Sequence, residues 1–193
     1  ETLSTHDIDH EALSNSDFAY IEGSLVTSET GKPAAIKLRE SAKKSGAKIA
    51  LSLSDPAIVE YFRDGLLEMI GDGVDVLFCN EAEALNFTQT DTLESAQEAL
   101  KQYSKTFAIT RGAKGATVFD GSTFIDITPH QVAAIDTNGA GDMFAGAFLC
   151  SLSQGKNYEE AGKLASKASS VVVSQFGPRL RAEQHAEILE QTV

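Results

Sequence analysis

Three features of this 193-residue chain predict an α/β fold: a mostly parallel sheet with helices on both faces, in three α/β/α layers, and an antiparallel hairpin at one edge. Apolar runs of strand length alternate with helical patterns several turns long, which is the spacing of βαβ units. Late in the chain a Gly121-Ser122 turn divides two alternating strands, which reads as a hairpin. No internal repeat, linker or low-complexity tract breaks this pattern, so residues 1–193 read as one α/β domain.

Each element follows from local chemistry. Phe18-Ala-Tyr-Ile is a short buried strand after a helical turn. From Glu29 to Gly46, Ala34, Ala35, Leu38 and Ala42 share one helical face opposite Lys and Arg, and Gly46 is a stop signal. Lys48-Ile-Ala-Leu-Ser-Leu is the next strand. Asp55-Pro56 then opens a helix through Val59, Phe62, Leu66, Leu67 and Ile70, with proline at the tolerated first turn. Val74 to Cys79 is a third strand, running into Asn80 and a helix through Leu85. Thr92 caps a helix reaching Tyr103, and Thr106 to Thr110 is a fourth strand. The hairpin pairs Ala116–Asp120 with Thr123–Ile127. Helices are expected from Gly139 to Leu152, Tyr158 to Gln175 and Arg181 to Leu189.

Charge excludes several function classes. With 16 basic and 28 acidic residues the formal charge is −12, and the pI is about 4.7. Such a chain repels phosphate backbones and anionic bilayers, which argues against nucleic acid and membrane as partners. The longest apolar stretch, Met143 to Cys150, is broken by Gly146 and is too short to span a bilayer. No secretory signal opens the chain. Cys79 and Cys150 sit in apolar settings and read as two buried, reduced thiols of a cytoplasmic protein. His6 and His10 are four residues apart, but a polar first turn is a poor place for a metal.

Ligands of such sheets gather at the carboxyl ends of the strands. The loops there are Glu22-Gly23, Ser52 to Asp55, Asn80 to Glu83, Thr110 to Gly115 and Asp136 to Asp142, and they hold most of the unusual polar chemistry. In Asp136-Thr-Asn-Gly-Ala-Gly-Asp142, the small residues Gly139, Ala140 and Gly141 let backbone amides approach a ligand at a helix start. Asp142 falls in that helix's first turn. One interpretation is an acidic residue that merely stabilises the positive helix end. The other is a phosphate nest containing a general base, the combination a phosphoryl transfer to a hydroxyl requires. The chain has no Gly-Lys-Ser/Thr, so a Walker P-loop is excluded, and no Gly-x-Gly-x-x-Gly follows the first strand as a dinucleotide-binding enzyme requires.

Asp136-Thr-Asn-Gly-Ala-Gly-Asp142 resembles the second signature of the ribokinase/PfkB family of sugar and nucleoside kinases. Asn80-Glu-Ala-Glu83 resembles that family's Asn-x-x-Glu motif, and Thr110-Arg-Gly-Ala-Lys-Gly115 its Thr-x-Gly-x-x-Gly nucleotide loop. The likeness runs from about Phe18 to Leu180 and is strongest to the adenosine-kinase-like branch. It implies ATP, Mg²⁺ and a nucleoside or sugar acceptor, with Asp142 as the base and Gly139, Ala140 and Gly141 as the anion hole. Asn80 and Glu83 would organise Mg²⁺ through its waters, although Asn80 with Glu83 three residues on is also a helix-capping pattern. Thr110, Arg111, Gly112 and Gly115 would meet the nucleotide phosphates and ribose, or form only a tight turn. Ser166, with Ala165, Ala168, Ser169 and Ser170, would line an adenine wall, or serve close helix packing. Relatives also hold a monovalent cation such as K⁺, which carbonyls near Asp136, Asn138 and Gly177 would bind.

The resemblance raises one more expectation. The family's N-terminal portion, with its glycine-rich first signature and its β-sheet lid, has no counterpart before Phe18, and the chain begins at Glu1 without Met. Residues 1–193 are therefore expected to be the C-terminal nucleotide-binding and catalytic portion of a ribokinase-like domain, inactive alone. An N-terminal portion or a second subunit would supply the lid. Fructokinase- or ribokinase-type sugar kinases and a non-catalytic nucleotide-binding fragment are the alternatives to an adenosine kinase.

Overall fold

A computed structural model describes residues 3–190, in which six strands form one sheet of order β1-β2-β3-β4-β5-β6. The chain divides into two compact units, Glu1–Phe107 and Ala108–Val193, with the division inside β4 (Ser104–Thr110).

The first unit begins with α1 (His10–Ser14), β1 (Phe18–Glu22), α2 (Gly31–Ser45), β2 (Lys48–Ser52) and α3 (Pro56–Ile70). It continues through β3 (Val74–Asn80), α4 (Glu81–Thr88) and α5 (Leu93–Leu100). β1 pairs with β2 and β2 with β3, both parallel, in the registers Ile21↔Leu51 and Leu51↔Leu77. Ile21, Ile49, Leu51, Leu66, Met69, Ile70 and Leu77 are buried and form the core. The helix ends are those the residues dictate. α2 stops at Gly46 in the left-handed region (φ 85°), and α3 starts on Asp55, whose carboxylate accepts the Ala57 amide at 2.7 Å. α3 carries a kink at Phe62 (φ −127°).

The second unit holds the hairpin β5 (Ala116–Phe119) and β6 (Phe124–Ile127), then α6 (Ala140–Ser153), α7 (Tyr158–Val173) and α8 (Ala182–Glu190). Asp120 closes the hairpin turn by accepting the Ser122 and Thr123 amides at 2.8 and 2.7 Å, which holds its carboxyl down at about 2. Gly162 lets α7 lie directly on the hairpin, since a Cβ there would meet Ile127 Cδ1 at 2.6 Å. Leu164, Ala168, Val172, Leu180 and Ile188 form a core cluster of this unit.

Four expectations change. Cys79 is buried, but Cys150 is exposed. Phe144 and Phe148 turn the α6 core face inward, and a residue two positions past Phe148 lies on the far side of the helix. Three 3-10 turns, Thr5–Asp7, Gly23–Thr27 and Gly112–Lys114, are additional elements that apolar spacing does not reveal. α5 ends at Leu100, three residues short of Tyr103, and α7 at Val173 rather than Gln175. Gly139 caps α6 from outside the helix, because its φ of 75° is not helical.

Candidate active site

In the first unit, Asn80 ends β3 and caps α4. Its side-chain oxygen accepts the Glu83 amide at 2.9 Å, while the Glu83 carboxylate accepts the Asn80 amide at 2.9 Å and the Asn80 side-chain NH₂ at 2.6 Å. This capping box satisfies both partners. Glu83 is only 4% exposed, and burial pushes its carboxyl up to about 7. The neighbouring Asp55 and Glu22 carboxylates add to that rise, against the lowering effect of the Asn80 amide.

Glu22, Ser54 and Asp55 belong to this constellation, although their residue types alone gave them no role. Glu22 accepts the Tyr20 hydroxyl at 3.0 Å and the Ser54 hydroxyl, and the Ser54 hydroxyl in turn accepts the Ser24 amide at 2.8 Å. Ser54 reaches this position from the left-handed region (φ 74°), which is uncommon for a residue with a side chain. The β1 end fits against β2 only because residue 23 is glycine, since a Cβ there would lie 2.5 Å from the Ser52 carbonyl oxygen. Glu22, Asp55 and Glu83 lie at or just past the carboxyl ends of three adjacent parallel strands, in loops whose polar chemistry the sequence already marks.

In the second unit the segment before α6 is held at several points. The Ile135 and Asp136 amides donate to the Val173 carbonyl at 2.7 and 3.3 Å. The Asp136 carboxylate accepts the Asn138 amide on one oxygen and the Gly177 amide on the other, each at 3.0 Å, and these bonds hold its carboxyl below the usual range. A Cβ at Gly139 would lie 2.5 Å from the Pro178 carbonyl oxygen, so closeness and positive φ both require glycine there. The Ser169 hydroxyl donates to the Ala140 carbonyl at 2.9 Å, tying α7 to the first residue of α6.

What this leaves is an open helix start. Gly139 provides no side-chain cap. The Ala140 amide donates to Thr137 at 3.3 Å, whereas among the described residues the Gly141 and Asp142 amides have no hydrogen-bond partner. Gly141 and Asp142 are exposed, and no atom outside the helix lies within 4 Å of where a Gly141 Cβ would stand. Two free amides, a helix dipole and a carboxylate share one solvent-facing turn, which is the chemistry of an anion cradle with a proton acceptor in it.

Thr110 ends β4, and the Arg111 amide donates to the Gly115 carbonyl at 2.8 Å to close a tight loop. Gly112 (φ 55°) and Gly115 (φ 87°) both need the left-handed region, and Gly115 also abuts the Ile127 carbonyl. Gly112 and Lys114 face solvent and Arg111 is half-buried. Ser166 donates to the Thr128 carbonyl at 3.3 Å, and Ala165 and Ala168 are buried. Among the described residues, no helix is long and apolar enough to cross a membrane, and no three His, Cys, Asp or Glu side chains are grouped to hold a metal ion.

Comparison with known proteins gives the family of the chain. Adenosine kinase 1 of Arabidopsis thaliana is 35% identical over 176 residues, which is 83% of this chain and 50% of that protein. Ribokinase of Haemophilus influenzae is 33% identical over 156 residues, covering 77% of this chain and 48% of the relative. The chain thus spans about half the length of these curated relatives. The crystal structure of adenosine kinase from Sinorhizobium meliloti superposes with a TM-score of 0.93 at 30% identity, covering 98% of this chain and 58% of that one. The profile of the pfkB family carbohydrate kinases matches residues 1–185. With that match, the six-stranded sheet and the glycine-rich start of α6 find their common origin: the chain belongs to the pfkB family of carbohydrate kinases.

Proposed function

We propose that this chain supplies the nucleotide-binding and catalytic portion of an enzyme that transfers the γ-phosphoryl group of ATP to the hydroxymethyl group of a nucleoside or sugar, with adenosine the favoured acceptor. The observation that carries this reading is the open start of α6, where an exposed carboxylate shares a turn with two unpartnered amides. Asp142 removes the proton of the acceptor hydroxyl as its oxygen bonds to the γ-phosphorus. The bond from that phosphorus to the bridging oxygen breaks, and ADP leaves with the electron pair. The amides of Gly141 and Asp142, presented by the backbone of Gly139 and Ala140, stabilise charge on the transferring oxygens.

Thr110, Arg111, Gly112 and Gly115 are assigned to the phosphates and ribose of ATP, and Ser166 to the edge of the adenine site. Asn80 and Glu83 are assigned to Mg²⁺. Both Glu83 oxygens already accept hydrogen bonds from Asn80, which suits an ion held through its own waters rather than directly. The ion's contribution when bound is to neutralise phosphate charge. The acceptor preference rests on the resemblance of Glu22-Gly23, Ser54-Asp55-Pro56, Asn80-Glu81 and Asp136-Thr-Asn to the adenosine-kinase-like branch, and on relatives named adenosine kinase. The similar identity to a ribokinase supports a sugar as the second reading.

The test is activity of the complete protein with ATP against adenosine and a panel of sugars, in parallel with Asp142→Asn. ATP-dependent phosphorylation of adenosine, lost in Asp142→Asn with ATP binding retained, is the expected result. Full turnover by Asp142→Asn would remove the base assignment. ATP binding with no acceptor phosphorylated would leave a nucleotide-binding protein.

A further inference from the structure

The family resemblance places a monovalent cation on carbonyls near Asp136, Asn138 and Gly177, and the Asp136 carboxylate itself is engaged elsewhere. The Asp136 carboxylate is half-buried, and each of its oxygens faces a backbone N–H, that of Asn138 on one side and that of Gly177 on the other, both at 3.0 Å. Amide hydrogens carry the same sign of charge as a cation and compete with it for these oxygens. Both oxygens of the carboxylate are already engaged by the chain itself.

We propose that Asp136 is a positioning residue, an internal clasp that ties the Gly177–Pro178 segment to the start of α6 and so aims the Gly141 and Asp142 amides. The inference rests on the function proposed above. The bond to Gly177 spans 41 residues and joins the segment after α7 to the loop before α6. Next to it, Gly139 sits so close to Pro178 that a Cβ would lie 2.5 Å from the Pro178 carbonyl oxygen. Asp136 itself is anchored through its own amide to Val173. Among the described residues that hold this turn, the Asp136 carboxylate alone bonds to both segments at once. Ser169 contacts only Ala140, from α7. Loss of the carboxylate frees the Gly177 segment and lets the nest drift, which impairs a reaction sensitive to displacements of about an ångström.

The experiment uses the complete protein and the variants Asp136→Ala and Asp136→Asn, with three readouts. Amide hydrogen exchange at Gly177 is expected to quicken about tenfold in Asp136→Ala, the effect of losing a charge-assisted hydrogen bond. Asp136→Asn keeps an oxygen acceptor without the charge and is expected to fall between wild type and Asp136→Ala. The kcat of Asp136→Ala is expected to drop about a hundredfold, while the KM for ATP changes by less than about threefold. Unchanged exchange at Gly177 overturns the proposal. So does a kcat of Asp136→Ala within about threefold of wild type. If the wild-type protein phosphorylates no acceptor, the proposed function fails, and exchange at Gly177 still decides whether the clasp exists.

Discussion

Two helix starts in this chain share a plan and differ in electrostatics. At α4 and at α6 alike, an acidic residue stands three positions after the cap, Glu83 after Asn80 and Asp142 after Gly139. Asn80 has a side chain, so the α4 start closes on itself: the Glu83 amide is capped and the Glu83 carboxylate is used up and 4% exposed. Gly139 has none, so the α6 start remains open, with free amides and an exposed carboxylate. The difference lies in one cap residue and the burial around it. Under the proposed function, the closed start would hold an ion through its waters and the open start would receive the transferred phosphoryl group.

The comparison can be broken most sharply at Asp142. Asp142→Asn is expected to lower turnover by about 10²–10⁴-fold, the usual contribution of a general base, with ATP affinity in calorimetry unchanged. Turnover within a few fold of wild type would make the α6 carboxylate as structural as that of α4.

The closed start predicts a pH effect. With the Glu83 carboxyl raised to about 7 from an ordinary 4.5, the folded state holds this proton more tightly than the unfolded state does. Its stabilisation is therefore full below pH 4.5, declines between 4.5 and 7, and is lost above, on the order of 3 kcal/mol in total. Melting curves taken in a chelator are expected to show this decline, and Glu83→Gln to flatten it. An unchanged slope in Glu83→Gln would assign the pH dependence elsewhere.

Smaller effects separate the two glycines of the open start. Gly139→Ala meets Pro178 and a positive φ, so a loss of about 1–3 kcal/mol in denaturant melts is expected. At Gly141 the added methyl enters open space on a helical backbone, and stability is expected to change by less than about 1 kcal/mol, in either direction. A fall in turnover without a fall in melting temperature at Gly141 would mark the space above it as the phosphoryl site. Ser169→Ala, which loses one hydrogen bond to Ala140, is expected to cost about 1 kcal/mol.

Much of the fold was legible before any coordinates, and the reason lies in particular residues. Gly46, Asp55-Pro56, Thr92 and the Gly121-Ser122 turn act within a few residues of themselves, so their effects can be read locally. The glycines and Asp142 of the α6 start were legible for the same reason. Cys150 was misplaced because an apolar run in a helix does not say which side faces the core. Glu22 and Ser54 fell in strand-end loops, but their partnership was not legible, because it spans 32 residues and needs a left-handed serine between strands.

The sequence by itself determined the alternation of strands and helices, the capping box at Asn80, the glycine-rich start of α6 and the acidic residue in each first turn. These are contacts between neighbours three or four positions apart, and the covalent chain guarantees them. Tertiary structure alone decided which acid is buried and which is open, that Glu22 and Asp55 crowd Glu83, and that the Asp136 carboxylate accepts the Gly177 amide. Burial and charge neutralisation depend on what the chain brings back from far away, and no local pattern records that return.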